Sequence, residues 1–220
     1  MKTLLLVSAT RMEITPLLEQ LAALPHDATT YQLTPTHRLL VLVTGVGMTQ
    51  TALALGSLCH HTIDLAINAG VAGSFVNQVP GTVVNVRTDI FSELGAQDDE
   101  TFLPIDALGL GTAQQQLSRP YSSPLILSLP IAKGITVNTV HGHEPSIEKV
   151  KQLYQPEIET MEGAAFMLAA EKFGWRAAQI RAISNAVERR DKSKWQMGKA
   201  VQSLNSFLYT LIQEWQHDLH

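Results

Sequence analysis

Leu39-Leu40-Val41-Leu42-Val43-Thr44-Gly45-Val46-Gly47 (residues 39–47) reads as a buried strand that ends on a glycine turn. Five apolar residues without polar alternation suit a sheet covered on both faces. Working outward, comparable runs recur at Leu4–Ser8, Leu65–Asn68, Gly81–Arg87, Ile135–Val140 and Ala177–Ser184, and the 39–47 strand itself covers Arg38–Thr44. Helical spacing lies between them. Ile14, Leu17, Leu18 and Leu21 place a helix over Met12–Leu24, and further helices are predicted over Thr49–His60 and Ile158–Phe173. Val201, Leu204, Leu208, Leu211 and Trp215 form one stripe of a last helix, Met197–Trp215. Ala69-Gly70-Val71-Ala72-Gly73 is expected to be a tight loop of small residues, and Glu93–Ser123, the least regular stretch, a lid or interface loop. The strand–helix alternation predicts one α/β domain over residues 1–220, a three-layer α/β/α sandwich with a central mixed, largely parallel twisted sheet.

Composition narrows the function. With 45% hydrophobic and 16% charged residues in 220, the chain can bury a core and is not disordered. A net charge of −4 provides no basic surface for nucleic acid. The single cysteine, Cys59, excludes an internal disulfide and a cysteine-based zinc site. No apolar run approaches the roughly 18 residues that span a bilayer. Met1-Lys2-Thr3 followed by Leu4–Ala9 mimics a signal peptide, but its apolar core is about four residues where a leader needs about 7–15. It reads instead as a first strand, and the protein as cytoplasmic.

Ligands of open α/β sheets bind beyond the carboxyl ends of the strands. Those ends carry Thr10-Arg11-Met12-Glu13, Gly45-Val46-Gly47, Asn68 to Gly73, Asn138-Thr139-Val140-His141 and Ser184-Asn185. The polar groups and glycines therefore gather at one end, as a small-molecule site requires. Gly45-Val46-Gly47 is a poor phosphate loop, because the third Rossmann glycine would fall at Gln50 and no Gly-Lys-Ser/Thr comes after it. Its glycines serve either a tight turn or a close approach of backbone to a ligand. His60-His61, His141 and His143-Glu144 lack a His-Glu-x-x-His pattern, and no metal is assigned, although His141 and His143 would share one face of a strand. His141, at the strand end, is a candidate for lining the site. Glu159, Met161 and Glu162 would open a helix, where acidic groups ordinarily complement the dipole. The small residues Gly163-Ala164-Ala165 leave Glu162 room to meet a ligand. Ser184-Asn185 could equally cap the next segment of the chain.

Taken in order, Ser8-Ala9-Thr10-Arg11-Met12-Glu13, Thr44-Gly45-Val46-Gly47, Asn68-Ala69-Gly70-Val71-Ala72-Gly73, Glu159-Thr160-Met161-Glu162-Gly163-Ala164-Ala165 and Arg181-Ala182-Ile183-Ser184-Asn185 resemble the nucleoside phosphorylase and nucleosidase family. The resemblance spans nearly the whole chain. It implies that fold, a homodimer, no cofactor or metal, and cleavage of an N-glycosidic bond through an oxocarbenium-like transition state. It implies Glu13 as the base that activates water, with Arg181 as a partner near that water. Glu162 would hold the ribose hydroxyls with Met161 against the sugar, and Asn185 would receive the departing purine. Gly47, Val71, Ala72, Gly73, Val140, His141 and Ser184 would complete the substrate site. An ionised Glu13 beside the sugar would repel phosphate by several kcal/mol at short range and low dielectric, which favours water over phosphorolysis (order of magnitude).

Two departures matter. The methylthioadenosine/S-adenosylhomocysteine nucleosidases carry Asp at position 185 and usually Ser at position 71, where this chain has Asn and Val. An amide offers an NH2 donor to O6 and a carbonyl acceptor to N7–H, so Asn185 predicts a 6-oxopurine. A mismatched buried edge costs about 1–3 kcal/mol per unpaired group, enough to discriminate. Ile183 to Arg190 and Val137 to Gly142 are similar to futalosine hydrolases. That likeness implies release of hypoxanthine from futalosine, leaving dehypoxanthine futalosine, in an alternative menaquinone pathway. A benzoate-ended arm on the substrate would want a cation, from Arg11, Arg189, Arg190 or Lys192, and an apolar slot, from Phe75, Phe166 or Trp195. The competing readings are a methylthioadenosine-type nucleosidase, a purine nucleoside phosphorylase and a non-catalytic nucleoside sensor.

Overall fold

The structure, a computed structural model, describes residues 1–21 and 29–217. The elements are β1 (Lys2–Ser8), a 3-10 turn (Arg11–Glu13), α1 (Thr15–Gln20), β2 (Thr30–Thr34), β3 (His37–Val43), α2 (Met48–Gly56), β4 (Leu65–Ser74) and β5 (Val83–Phe91). They continue as β6 (Gly95–Asp98), β7 (Thr101–Pro104), β8 (Gln114–Gln116), α3 (Pro124–Leu127), β9 (Ile131–Thr136) and α4 (Glu144–Tyr154). The chain then forms β10 (Ile158–Thr160), α5 (Gly163–Phe173), β11 (Ala177–Ala186), a 3-10 turn (Lys192–Lys194) and α6 (Met197–Gln216).

β1 organises the layers. Leu4, Leu5, Leu6 and Val7 are all fully buried, and alternate side chains of a strand point to opposite faces. Leu4 and Leu6 pack with Leu17 of α1 and with Leu204, Leu208 and Leu211 of α6. Leu5 and Val7 pack on the other face with Leu55 of α2 and with Phe166 and Met167 of α5. The α6 stripe is as the sequence predicts, with Leu204, Leu208, Leu211 and Trp215 buried and Val201 half-buried. The sheet is the mixed, largely parallel one expected. Its order is β10-β9-β5-β11-β4-β1-β3-β2, with β8 on β5. β1 runs parallel to β3 and β4, β11 parallel to β4, and β9 parallel to β5 and β10. β10 also pairs antiparallel with the far end of β4, Ile158 opposite Ser74 and Glu159 opposite Gly73. Five strands thereby close on themselves and bring Glu159 to Glu162 beside the ends of β4 and β11.

Several boundaries differ from the sequence reading. Residues 69–73 are not a loop; β4 runs through them to Ser74. Their glycines signal close approach of side chains rather than turning. A Cβ at Gly70 would lie 2.3 Å from Arg181 Nη1, and one at Gly73 would lie 2.9 Å from Val187 Cγ2. The helix expected from Ile158 begins at Gly163, because Ile158–Thr160 joins the sheet between β9 and β4. The first helix divides into the Arg11–Glu13 turn and α1, which has Pro16 in its first turn and ends at Gln20. The predicted end of that helix, Leu24, lies outside the described residues. β9 ends at Thr136, so residues 137–140 leave the sheet. β5 extends past Arg87 to Phe91, β11 extends to Ala186, and α2 stops at Gly56. β3 buries Leu39 and Val41 on one face and half-buries Leu40 and Leu42 on the other, and Val43 at its end is exposed. β2, α3 and α4 are additional to the elements expected from the sequence, and the 93–123 stretch holds β6, β7 and β8. Among the described residues no helix is long and apolar enough to cross a membrane.

The start of α5 is fixed by a buried polar knot. Asp89 accepts from Thr136 Oγ1 at 2.8 Å and from Gln179 Nε2 at 2.9 Å. Burial pushes its carboxyl up to about 6, against those two hydrogen bonds. A Cβ at Gly163 would lie 2.1 Å from Asp89 Oδ2 and 2.2 Å from Gln179 Nε2. Gly163→Ala is therefore expected to lower unfolding stability by about 3 kcal/mol, the upper end for overfilling a closed core. Urea denaturation checks this, and an unchanged midpoint would refute the steric account.

Candidate active site

The ends of β1, β4, β10 and β11 surround a cavity of about 430 Å³. Glu13, Val71, Ala72, Gly73, Val140, Met161, Glu162, Ser184 and Asn185 all line it. Three more candidates stand just behind: Arg181 and Gly47 beneath the acidic wall, and His141 in an adjoining smaller chamber.

Glu13 is buried at the mouth of β1, where the 3-10 turn lifts it over the sheet. Its Oε2 accepts from Ser8 Oγ at 3.1 Å and from Thr10 N and Oγ1, both at 3.0 Å. Oε1 accepts from Val71 N–H at 3.1 Å. One carboxylate oxygen is thus occupied, and the other keeps capacity facing the cavity. Position 71 acts here through its backbone, a function valine serves as well as serine. Behind the turn, Asn205 of α6 donates to Glu13 O at 2.8 Å and accepts from Leu17 N at 2.9 Å, tying the loop to the last helix.

Glu162 stands at the N-terminal boundary of α5, with its carboxylate turned away from the helix's own amides. Its Oε1 accepts from Gly47 N–H at 3.0 Å, and its Oε2 lies 3.9 Å from Arg181 Nη2. Gly45 and Gly47 have φ of +84° and +101°, a region that favours glycine. The glycine turn therefore brings its backbone up to a carboxylate of the protein and holds it. Arg181 is fully buried, and its Nη2 donates to Asn68 Oδ1. Nη1 crosses above Gly70, where Glu13 Oε1 also crowds.

Asn185 stands at the opposite end. Its Oδ1 accepts from Ser184 Oγ at 2.7 Å and its Nδ2 donates to Ala186 O at 2.8 Å. One amide hydrogen and one oxygen lone pair stay free, so the group still offers a ligand both a donor and an acceptor. Ser184 Oγ also lies 3.2 Å from Ala72 O.

His141 and His143 do not share a strand face. Both lie beyond β9, and His143 stands just before α4 with Nδ1 3.0 Å from Ser146 Oγ. His141 instead meets Glu159, which lies on β10 and not in a helix's first turn. Its N–H donates to Oε1 at 3.0 Å and its Nδ1 bonds Oε2. That bond raises the imidazole pKa above its ordinary value, against desolvation. Among the described residues no three His, Cys, Asp or Glu side chains form a metal-binding group. Of the residues suggested for a substrate arm, Arg190 and Trp195 line the cavity, with Arg190 5.5 Å over the Trp195 ring. Arg189 lines the smaller chamber. Phe166 is core, Phe75 packs its edge on His141, and Arg11 bonds Tyr31 Oη at 3.2 Å. Sequence reasoning missed Gly70, Asn205 and the His141–Glu159 pair, as none has a local signature. It also missed the apolar wall of Met12, Val46 and Met197.

The family model of the phosphorylase superfamily matches residues 3–213. The chain is 29% identical over 187 residues to futalosine hydrolase of Acidothermus cellulolyticus, covering 81% of this chain and 77% of that protein. It is 29% identical over 181 residues to futalosine hydrolase of Thermus thermophilus, covering 79% and 80%. The fold superposes on Helicobacter pylori futalosine hydrolase with a TM-score of 0.80 at 16% identity, covering 97% and 98%. The 5'-methylthioadenosine/S-adenosylhomocysteine nucleosidase of the same organism also scores 0.80, at 17% identity, covering 97% and 99%.

Because Arg181 and Glu13 both press on Gly70, Gly70→Ala is expected to displace them while the fold persists. Displacing a catalytic group by an ångström costs on the order of 10²-fold in rate. Steady-state turnover beside a circular dichroism melt checks this; full activity would mean that the two groups tolerate separation.

Proposed function

The chain belongs to the phosphorylase superfamily, and on that premise we propose that it is a purine nucleosidase of the futalosine hydrolase type. It uses water to cleave futalosine into hypoxanthine and dehypoxanthine futalosine, a step of the menaquinone route through futalosine. The observation that carries this reading is the neutral amide of Asn185 in the cavity that Glu13 and Glu162 also line.

In this reading Glu13 Oε1 takes the proton of a water aimed at the anomeric carbon. Glu13 and Glu162 together favour the positive charge that grows on the sugar. Glu162, its Oε1 already turned by Gly47, accepts the ribose hydroxyls, and Met161 packs on the sugar. As the glycosidic bond breaks its electron pair goes to the base; Asn185 donates to O6, and once N7 has taken a proton from solvent the amide carbonyl accepts from N7–H. Arg181 holds the acidic wall in place from below. Its bond to Asn68 and its approach to Glu162 turn it away from the role of a phosphate clamp, which supports water as nucleophile over phosphate. The apolar wall of Met12, Val46 and Met197 would receive the 5' arm. We take the protein as cytoplasmic, with residues 1–220 acting as one unit. We also take it as a homodimer, a reading supported by the exposed Met12 and Val46 at the cavity rim and by the exposed Leu53 of α2 and Leu110 of the 93–123 stretch.

Incubation with futalosine is expected to release hypoxanthine, read by chromatography, at equal rates with and without phosphate. A strict need for phosphate, or adenine release from methylthioadenosine outpacing it, would reject the assignment. Glu13→Gln should cut turnover by about 10²–10⁴, the usual worth of a general base. Asn185→Asp should move preference toward 6-aminopurines; competition between inosine and adenosine measures it, and an unmoved ratio would discard the amide as reader.

A further inference from the structure

Next to Asn185 the cavity meets a smaller chamber of about 100 Å³, with Gly73, Val140, Glu159, Asn185, Arg190 and Trp195 shared by both. His141 lines the smaller one. Glu159 is a buried carboxylate devoted to a single residue, one oxygen on the His141 backbone N–H and the other on its ring Nδ1. Its side chain is 3% exposed and that of His141 16%. The pairing places a proton on Nδ1. Nε2 has no hydrogen-bond partner among the described residues and is not buried away from contact.

We propose that the His141–Glu159 pair is a second reader of the base: the imidazolium donates from Nε2–H to the keto oxygen that Asn185 engages, using that oxygen's other lone pair. The inference rests on the nucleosidase reading of this site. No proton is transferred; the cation stabilises negative charge spreading onto the purine as the glycosidic bond breaks. A 6-amino group would present hydrogens to the same cation, leaving two donors facing each other. Glu159 is then a positioning residue, and His141 the group that meets the base. Glu159 from β10 and Glu93 from beyond β5 favour the charged ring. The other charges facing it are Lys149 of α4 across a shallow groove, and Arg189, Arg190, Asp191 and the Glu188–Lys194 ion pair of the segment after β11. Phe75 adds an uncharged edge contact.

The test is calorimetric binding of hypoxanthine and of adenine over a pH series that begins below the ordinary imidazole pKa and runs above it, beside an NMR titration of the His141 ring. For the unmodified protein, hypoxanthine affinity should fall as pH rises through the His141 pKa, approaching about tenfold per pH unit. Adenine affinity should not fall there. Glu159→Gln should move that inflection to lower pH. His141→Gln should abolish it and weaken hypoxanthine by about tenfold or more, as loss of a charged hydrogen bond implies. The two variants act on the pair from opposite sides, so misfolding of one leaves the other informative. Futalosine hydrolysis accompanied by pH-independent hypoxanthine affinity would overturn the pair and leave the activity standing. pH-dependent hypoxanthine binding without futalosine hydrolysis would support the pair and overturn the activity. Binding of neither purine would overturn the pair, and with no futalosine hydrolysis beside it would overturn the activity too.

Discussion

A fully buried guanidinium lies beneath the floor of the cavity. Arg181 sits in the middle of β11, and an ion removed from water costs several kcal/mol unless it is closely paired. The structure meets part of that demand with Asn68 on β4, Glu162 3.9 Å away at the head of α5 and Glu13 converging over Gly70, while the guanidinium Nε has no hydrogen-bond partner among the described residues. Each of these groups comes from a different segment of the chain, and each is held in turn. Asn68 Nδ2 bonds Val7 O at 3.3 Å, Glu162 takes the Gly47 amide, and Glu13 takes four donors. Both acidic groups therefore converge on one buried cation. Two carboxylates against one guanidinium leave the wall anionic, which suits a sugar that becomes cationic in the proposed reaction.

The closure of the sheet separates two chemistries. Because β10 bridges β9 and the end of β4, the segment Glu159 to Glu162 straddles the site. Glu162 faces the acidic end, and Glu159, three residues earlier, faces the amide end with His141. Neighbouring carboxylates on one short segment thus acquire different partners, a guanidinium in one case and an imidazole in the other. Asp89 shows the same economy of small residues inside the sheet. Gly163 and Gly134 leave room for its carboxyl beneath the start of α5, and that anchors the helix that begins just after Glu162.

Much of this is legible from local pattern. Uninterrupted apolar runs such as Leu4–Val7 identify strands covered on both faces, and the spacing from Leu204 to Trp215 identifies α6, because burial imposes periods of two and 3.6 on any sequence. The glycines at 45 and 47 stand out as special in the sequence, but what they approach is Glu162, more than a hundred residues away. The glycines of 69–73 mislead in the opposite sense. They resemble a turn because glycine permits turns, yet they sit in a strand to make room for Arg181, Glu13 and Val187. Helical spacing that runs back from α5 gives Glu159 the look of a dipole complement, whereas strand pairing on both sides of β10 overrides it.

By itself the sequence determined the layered α/β class, the end of the sheet where ligands belong, and the family-like motifs that point to an acidic pair and an amide. Those come from hydrophobic period and residue type, which are local properties. Only the tertiary structure decided which carboxylate meets which cation, that Val71 works through its amide, and that His141 is joined to Glu159. Pairings of that kind depend on where β10 closes the sheet, and strand register between distant segments is an outcome of global packing that no short window of residues encodes.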